Sequence, residues 1–163
     1  MNSEIHDSLQ ILARLNFEIS SYQESAAQFE QHQFEDDRLQ SSAGYLIRAA
    51  NTLMILKVQC FIDEYHEHFS KLLRREHGDI FKQEQKNIAQ VLKSLRNKFH
   101  IEEIRHQFIA HGFRASKTGN SALTAPAELL HIKTPVEADE KRFVKKCIHD
   151  IGLILMDIED QIK

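Results

Sequence analysis

Apolar residues return every three or four positions along almost the whole chain, and no stretch shows the strict alternation or the Asn-Gly turn of paired strands. That period commits the chain to helices, so the expected fold class is all-α. An up-and-down bundle of about five helices in a single domain, 1–163, suits a chain of 163 residues. With 42% hydrophobic and 28% charged residues, and only five Gly and two Pro, neither intrinsic disorder nor a fibrous repeat fits.

The pattern places a first helix over 3–32, with Ile5, Leu9, Leu12, Ala13, Phe17 and Ile19 on its inner side. Asp36 or Asp37 is suited to cap a second helix over 38–77, because a short carboxylate accepts the orphan amide protons of a first turn. One break is expected near Gly44. Leu46, Ile47, Ala50, Leu53, Met54, Leu56, Cys60, Phe61 and Phe69 form its broad apolar surface. Gly78 should stop it, and Asp79 should cap a third helix over 80–98. A short fourth helix covers 101–111, and an irregular loop runs over about 113–134. Thr134-Pro135-Val136-Glu137 then reads as a capping box opening a last helix that ends near Ile162, with Val136, Phe143, Cys147, Ile151, Ile154, Ile158 and Ile162 inward.

Charge is unevenly spread. Residues 1–40 hold eight acids against two bases, whereas residues 71–117 hold eleven bases against five acids. Such asymmetry fits either an anionic partner meeting the middle of the chain or two helices that attract each other in the fold, with the second slightly favoured by charge alone. On the third helix Lys82, Lys86, Lys93 and Arg96 fall within about 80° of one another, opposite Phe81, Ile88, Val91, Leu92, Leu95 and Phe99. This basic stripe is either a solubilising face or an RNA-binding surface for phosphates. The most apolar stretch, 45–62, carries Arg48, Asn51, Lys57 and Gln59, which marks it as a buried helix and predicts no membrane association. Met1 to Gln10 holds Glu4 and Asp7 and no apolar run, so no secretory leader is expected. Cys60 and Cys147 lie among apolar neighbours and read as buried packing residues of a cytoplasmic protein.

The segment with chemical content is Ile104-Arg105-His106-Gln107-Phe108-Ile109-Ala110-His111-Gly112. On a helical wheel the apolar arc of Ile101, Ile104, Phe108 and Ile109 contains Arg105 and has His111 at its rim, with His106 on the opposite side. A guanidinium keeps its charge on burial, so Arg105 must meet an anion, a polar cleft or a subunit boundary. It either pairs with an internal carboxylate such as Asp63 or Glu64 while His111 caps the helix end, or it joins His111 in a phosphoryl-transfer site.

Arg105, the polar His106 beside it, a short spacer and Ala110-His111-Gly112 resemble the signature of the HEPN superfamily (higher eukaryotes and prokaryotes nucleotide-binding), in particular its abortive-infection-like branch. The resemblance is close over the motif helix and extends elsewhere only as a pattern of long helices. It implies a HEPN-like bundle that forms a homodimer, with motif helices of two copies facing across a cleft. It further implies a metal-independent endoribonuclease, possible as a toxin or phage-defence component. Arg105 and His111 would then be the catalytic pair and His106 the supporting polar residue. A 2′-hydroxyl would attack the adjacent phosphate with His111 as acid or base, while Arg105 holds the phosphorane oxygens. The alternative within the resemblance is a non-catalytic interaction or nucleotide-binding module. One branch carries a Tyr two positions after the His that accepts nucleotides; Phe113 stands there, which excludes that modification. The 163 residues include no nucleotidyltransferase, so a toxin–antitoxin arrangement would take a separately encoded antitoxin.

No cofactor and no metal are expected. The acid-x-x-His spacings Asp63 to His66, Glu103 to His106 and Glu128 to His131 number three where chance provides about 1.5, an excess too small to argue for a metal, and read as solvated side chains. Lys117-Thr118-Gly119-Asn120-Ser121 lacks the glycines and the Gly-Lys-Ser/Thr order of a phosphate-cradling loop.

Overall fold

A computed structural model describes residues 3–32, 34–99, 101 and 137–162, and these are helical apart from short turns. Helix α1 is Ser3–Gln31, α2 is Asp37–Glu64, a π-helical turn covers Tyr65–Phe69, α3 is Ser70–His77, α4 is Lys82–Phe99 and α5 is Ala138–Ile162. The all-α expectation holds. The fourth expected helix begins at Ile101, which is helical and buried; its remainder, the irregular loop and Val136 lie outside the described residues.

Helices α1 and α2 form an antiparallel hairpin whose turn is closed as the residue types demand. Asp36 Oδ1 accepts from the Arg38 amide at 2.7 Å and the Leu39 amide at 3.3 Å, satisfying two orphan donors of α2. The helix runs without a break through Gly44, where no contact requires glycine. The expected break is instead a change of winding twenty residues on, where the Ser70 amide bonds to Tyr65 O and one residue is inserted into the helical ladder. From Asp37 to His77 the rod is therefore continuous. It is long and apolar enough to cross a membrane by length and hydropathy, yet Met54, Ile55, Val58, Phe61 and Ile62 are packed inside the fold.

Gly78 ends α3 at φ +59°, a conformation strained for any side chain with a Cβ. Helix α4 begins at Lys82 rather than at Ile80, whose side chain is exposed, because the turn 78–81 is held by the Ile80 amide on His77 O and the Lys82 amide on Asp79 O. Asp79 thus supports the start of α4 with its carbonyl, and its carboxylate pairs with Lys82 at 3.2 Å. At the other end of the chain, the Lys141 amide bonds to Glu137 O and opens α5.

The core runs between the four rods. Leu9, Leu12 and Ile19 of α1 meet the inner side of α2, while Ile88, Leu92, Leu95 and Phe99 of α4 and Val144, Ile148, Ile151 and Ile158 of α5 close it. Each such side chain contributes about 1.5–3 kcal/mol on burial. Gln23 Nε2 donates to Lys141 O and Asn16 Nδ2 to Ile148 O, which sets α5 antiparallel to α1. The approach there is close: a Cβ on Gly152 would stand 2.7 Å from Asn16 Nδ2.

Five expectations of burial fail, those for Ala13, Phe17, Leu46, Leu53 and Cys60, all of which are exposed. Phe17 is 73% exposed, and Leu46 and Leu53 are 51% and 41% exposed, because these side chains lie on faces of α1 and α2 turned away from the core. Cys60, expected inside, is exposed for the same reason, whereas Cys147 is buried. Among the described residues the attraction between an acidic start and a basic middle is realised at the ion pair of Arg75 with Glu4 at 2.7 Å. Helix α1 also pairs, among the described residues, with Lys57 and Lys141, outside the basic segment.

Candidate nucleic-acid interface

The π turn is where the fold gathers its polar side chains. Winding Tyr65–Phe69 more loosely aims Tyr65 and Phe69 into the core, while His66 and His68, two residues apart, leave on different sides of the rod. Such turns inside α-helices are frequent at functional sites. Tyr65 Oη donates to Gln85 O at 3.0 Å, and Gln85 Nε2 donates to Ser70 O at 3.0 Å, so α4 is bolted to the π turn by two reciprocal bonds. Burial pushes the Tyr65 phenol up to about 12, so it remains a donor throughout the physiological range.

On the α4 side, His66 is half-buried. Its imidazole is held below its ordinary value first by burial and next by the positive charge of Arg96, against the smaller opposing pull of Glu67 and Asp63. Arg96 closes a row that begins with Lys82, Lys86 and Lys93, and these three lysines are exposed along the outer side of α4. Over that span the helix rises about 16 Å, enough for several backbone phosphates of an extended strand. Lys98, by contrast, is used by the fold: its ammonium sits 4.6 Å over the Phe143 ring. The expected RNA-binding residues Lys82, Lys86, Lys93 and Arg96 thus do share one face.

On the α1 side, His68 opens onto a groove of about 600 Å³ between the start of α1 and the π turn with α3. Its acids are Glu4, Asp7, Glu64 and Glu67, and its bases are Lys71 and Arg75. Ser8 donates to Glu64 at the groove's buried edge, and the two bases are engaged with Glu67 and Glu4. An acid surplus of this kind repels phosphate. His68 thus faces an acid-rich groove, whereas His66 has the Arg96 guanidinium on one side and the Glu67 and Asp63 carboxylates on the other.

The sequence offers His66 only as a remote metal ligand, and the nearness of Arg96 to its ring depends on where α4 packs, which periodicity does not report. Among the described residues no three His, Cys, Asp or Glu side chains come together as a metal site. Arg105, His106 and His111 lie outside the described residues, as do Glu103, Glu128 and His131. Of the two carboxylates named as partners for Arg105, Glu64 accepts from Ser8 and Asp63 accepts from Gln59 Nε2 at 2.8 Å, while any pairing with Arg105 lies outside the described residues. No protein-family model, no curated protein and no solved structure matches this chain.

Proposed function

We propose that this chain is a HEPN-like helical bundle that binds RNA and cleaves it without a metal, with Arg105, His106 and His111 of two copies forming one composite site. The observation that carries the reading is the row of exposed Lys82, Lys86 and Lys93 on α4, the helix whose chain runs on through buried Ile101 toward the Arg105–His111 segment. The row holds the phosphate backbone, and Arg105 and His111 act on one phosphodiester. His111 of one copy takes the 2′-hydroxyl proton as that oxygen attacks phosphorus, His111 of the partner subunit gives a proton to the 5′-oxygen as the P–O5′ bond breaks to leave a 2′,3′-cyclic phosphate and a 5′-hydroxyl, and Arg105 stabilises the charge on the phosphorane oxygens.

Purified protein incubated with mixed RNA in EDTA tests this directly. Cleavage is expected, with a loss of roughly a hundredfold or more in Arg105→Ala and in His111→Ala. The triple variant Lys82→Glu/Lys86→Glu/Lys93→Glu should weaken binding to single-stranded RNA and lower its salt slope by about two. Cleavage that persists unchanged in both single variants removes these residues from the mechanism. A second reading, a non-catalytic interaction module, draws on the acid-rich groove between α1 and α3. Absence of cleavage, together with a cellular partner lost on Asp7→Lys, decides for it.

A further inference from the structure

Helix α2 is apolar on two opposite sides, and only one of them faces the core. Taking Leu39 as zero on the helical wheel, the buried Ala43, Asn51, Met54, Val58, Phe61 and Ile62 centre near 100°. Leu39, Leu46, Leu53 and Cys60 recur every seven residues on the other side, between about 300° and 360°, and Ser42 and Ala49 lie beside them at the intervening positions. Leu39 is 55% exposed, and all six residues are exposed. A seven-residue apolar repeat facing outward is the pattern of a seam between two helices.

We propose that this stripe is the seam of a homodimer in which the α2 helices of two copies pack antiparallel. Three observations single out a second copy as the occupant. First, large and small side chains alternate so that one sequence fills both halves. About a two-fold axis between Ile47 and Arg48, Leu46 meets Ala49 of the partner subunit and Leu53 meets Ser42 of the partner subunit. Second, the antiparallel arrangement opposes the two helix dipoles and keeps the acidic turn Glu35-Asp36-Asp37 away from its own twin. Third, the stripe and the neighbouring Tyr45 expose four large apolar side chains, Leu39 at 55%, Tyr45 at 70%, Leu46 at 51% and Leu53 at 41%, and covering these in both copies with the small residues between them removes on the order of 1,000 Å², the scale at which specific interfaces begin. A lipid surface would gain little from Ser42 and Ala49, whereas a facing helix needs them small to approach. The seam uses no residue of the Arg105–His111 segment, but it rests on the same pairing of two copies as the ribonuclease reading: a monomeric wild type overturns both, whereas a dimer that survives substitution of the seam overturns the seam alone.

The deciding measurement is the solution mass of the whole chain by light scattering, with helicity followed by circular dichroism. Wild type is expected at twice 19.0 kDa. Leu46→Glu/Leu53→Glu should run as a folded monomer, while Leu153→Glu on the exposed side of α5 should leave the dimer unchanged. Ala49→Leu adds apolar surface but overfills the seam, and it should weaken dimerisation roughly tenfold or more. A monomeric wild type overturns the proposal, whether or not it sediments with phosphatidylcholine–phosphatidylglycerol vesicles. So does a dimer that survives Leu46→Glu/Leu53→Glu, or an Ala49→Leu variant that associates as tightly as wild type.

Discussion

The two halves of the α2–α3 rod are alike in hydropathy and opposite in circumstance. From Asn51 to Leu73 the apolar side is enclosed by α1, α4 and α5, and the winding itself is adjusted so that Tyr65 and Phe69 both reach the interior. From Asp37 to Ala50 the rod has Ala43 as its one fully buried side chain, and Tyr45 and Leu46 point outward, 70% and 51% exposed. An apolar residue therefore contributes to this fold only where a neighbouring helix is present to cover it.

The sharpest way to break that contrast is to truncate one large side chain in each half. Phe61→Ala should lower stability by about 3–5 kcal/mol, the cost of a large cavity in a closed core. Leu46→Ala should change the stability of the monomer by less than about 0.5 kcal/mol, since its half-exposed side chain leaves no cavity. Urea unfolding of both variants, at a concentration where the protein is monomeric, measures the difference. Equal losses would mean that both halves are enclosed alike.

Tyr65→Phe keeps the ring and removes only the hydroxyl that donates to Gln85 O. The carbonyl of α4 then loses a buried donor, and a loss of about 1–2 kcal/mol is expected. Hydrogen exchange of the α4 amides should rise with it, because the π turn and α4 are joined by this bond and by Gln85 on Ser70 O. At the thin end of the rod, Asp36→Ala removes the cap of α2 and should cost about 1 kcal/mol in the same urea experiment.

Helix ends were legible because each depends on a single residue with one physical role, and both Asp36 as the cap of α2 and Gly78 as the stop of α3 hold. The identity of the buried face was less legible. Periodicity says that Leu46, Leu53 and Cys60 line up with one another, but not that α1, α4 and α5 all lie on the far side of α2 from them. Phe17 misleads for the same reason. The π turn has no signature in composition, since one inserted residue rotates everything after it by about 100° without changing the residue types. Of the candidate site, the lysine row was readable because Lys82, Lys86 and Lys93 stand opposite Ile88, Leu92 and Leu95 on one helix. His66 was not, because its basic neighbour Arg96 comes from another helix.

That histidine offers the smallest effect and the finest probe of the π turn. Burial and Arg96 hold the folded-state pKa of His66 below the ordinary imidazole value of about 6.5, so the unfolded chain binds the proton more readily than the folded one. Stability is then highest above about pH 6.5 and falls as pH drops through the folded value, the unfolded state being the one that gains protons. Asp63 and Glu67 oppose this but are the weaker influences. His66→Gln should flatten the stability profile on the acid side of pH 6.5 while leaving it unchanged at pH 8, and Arg96→Gln should flatten it in part. Urea midpoints at pH 5 and pH 8 provide the measurement. A profile as steep in His66→Gln as in wild type would assign the acid loss to other groups, but not to Glu18, whose carboxyl is held low by Lys57 and Arg14 and so loses its contribution only below the ordinary carboxylate range, outside the pH 5 to 8 comparison.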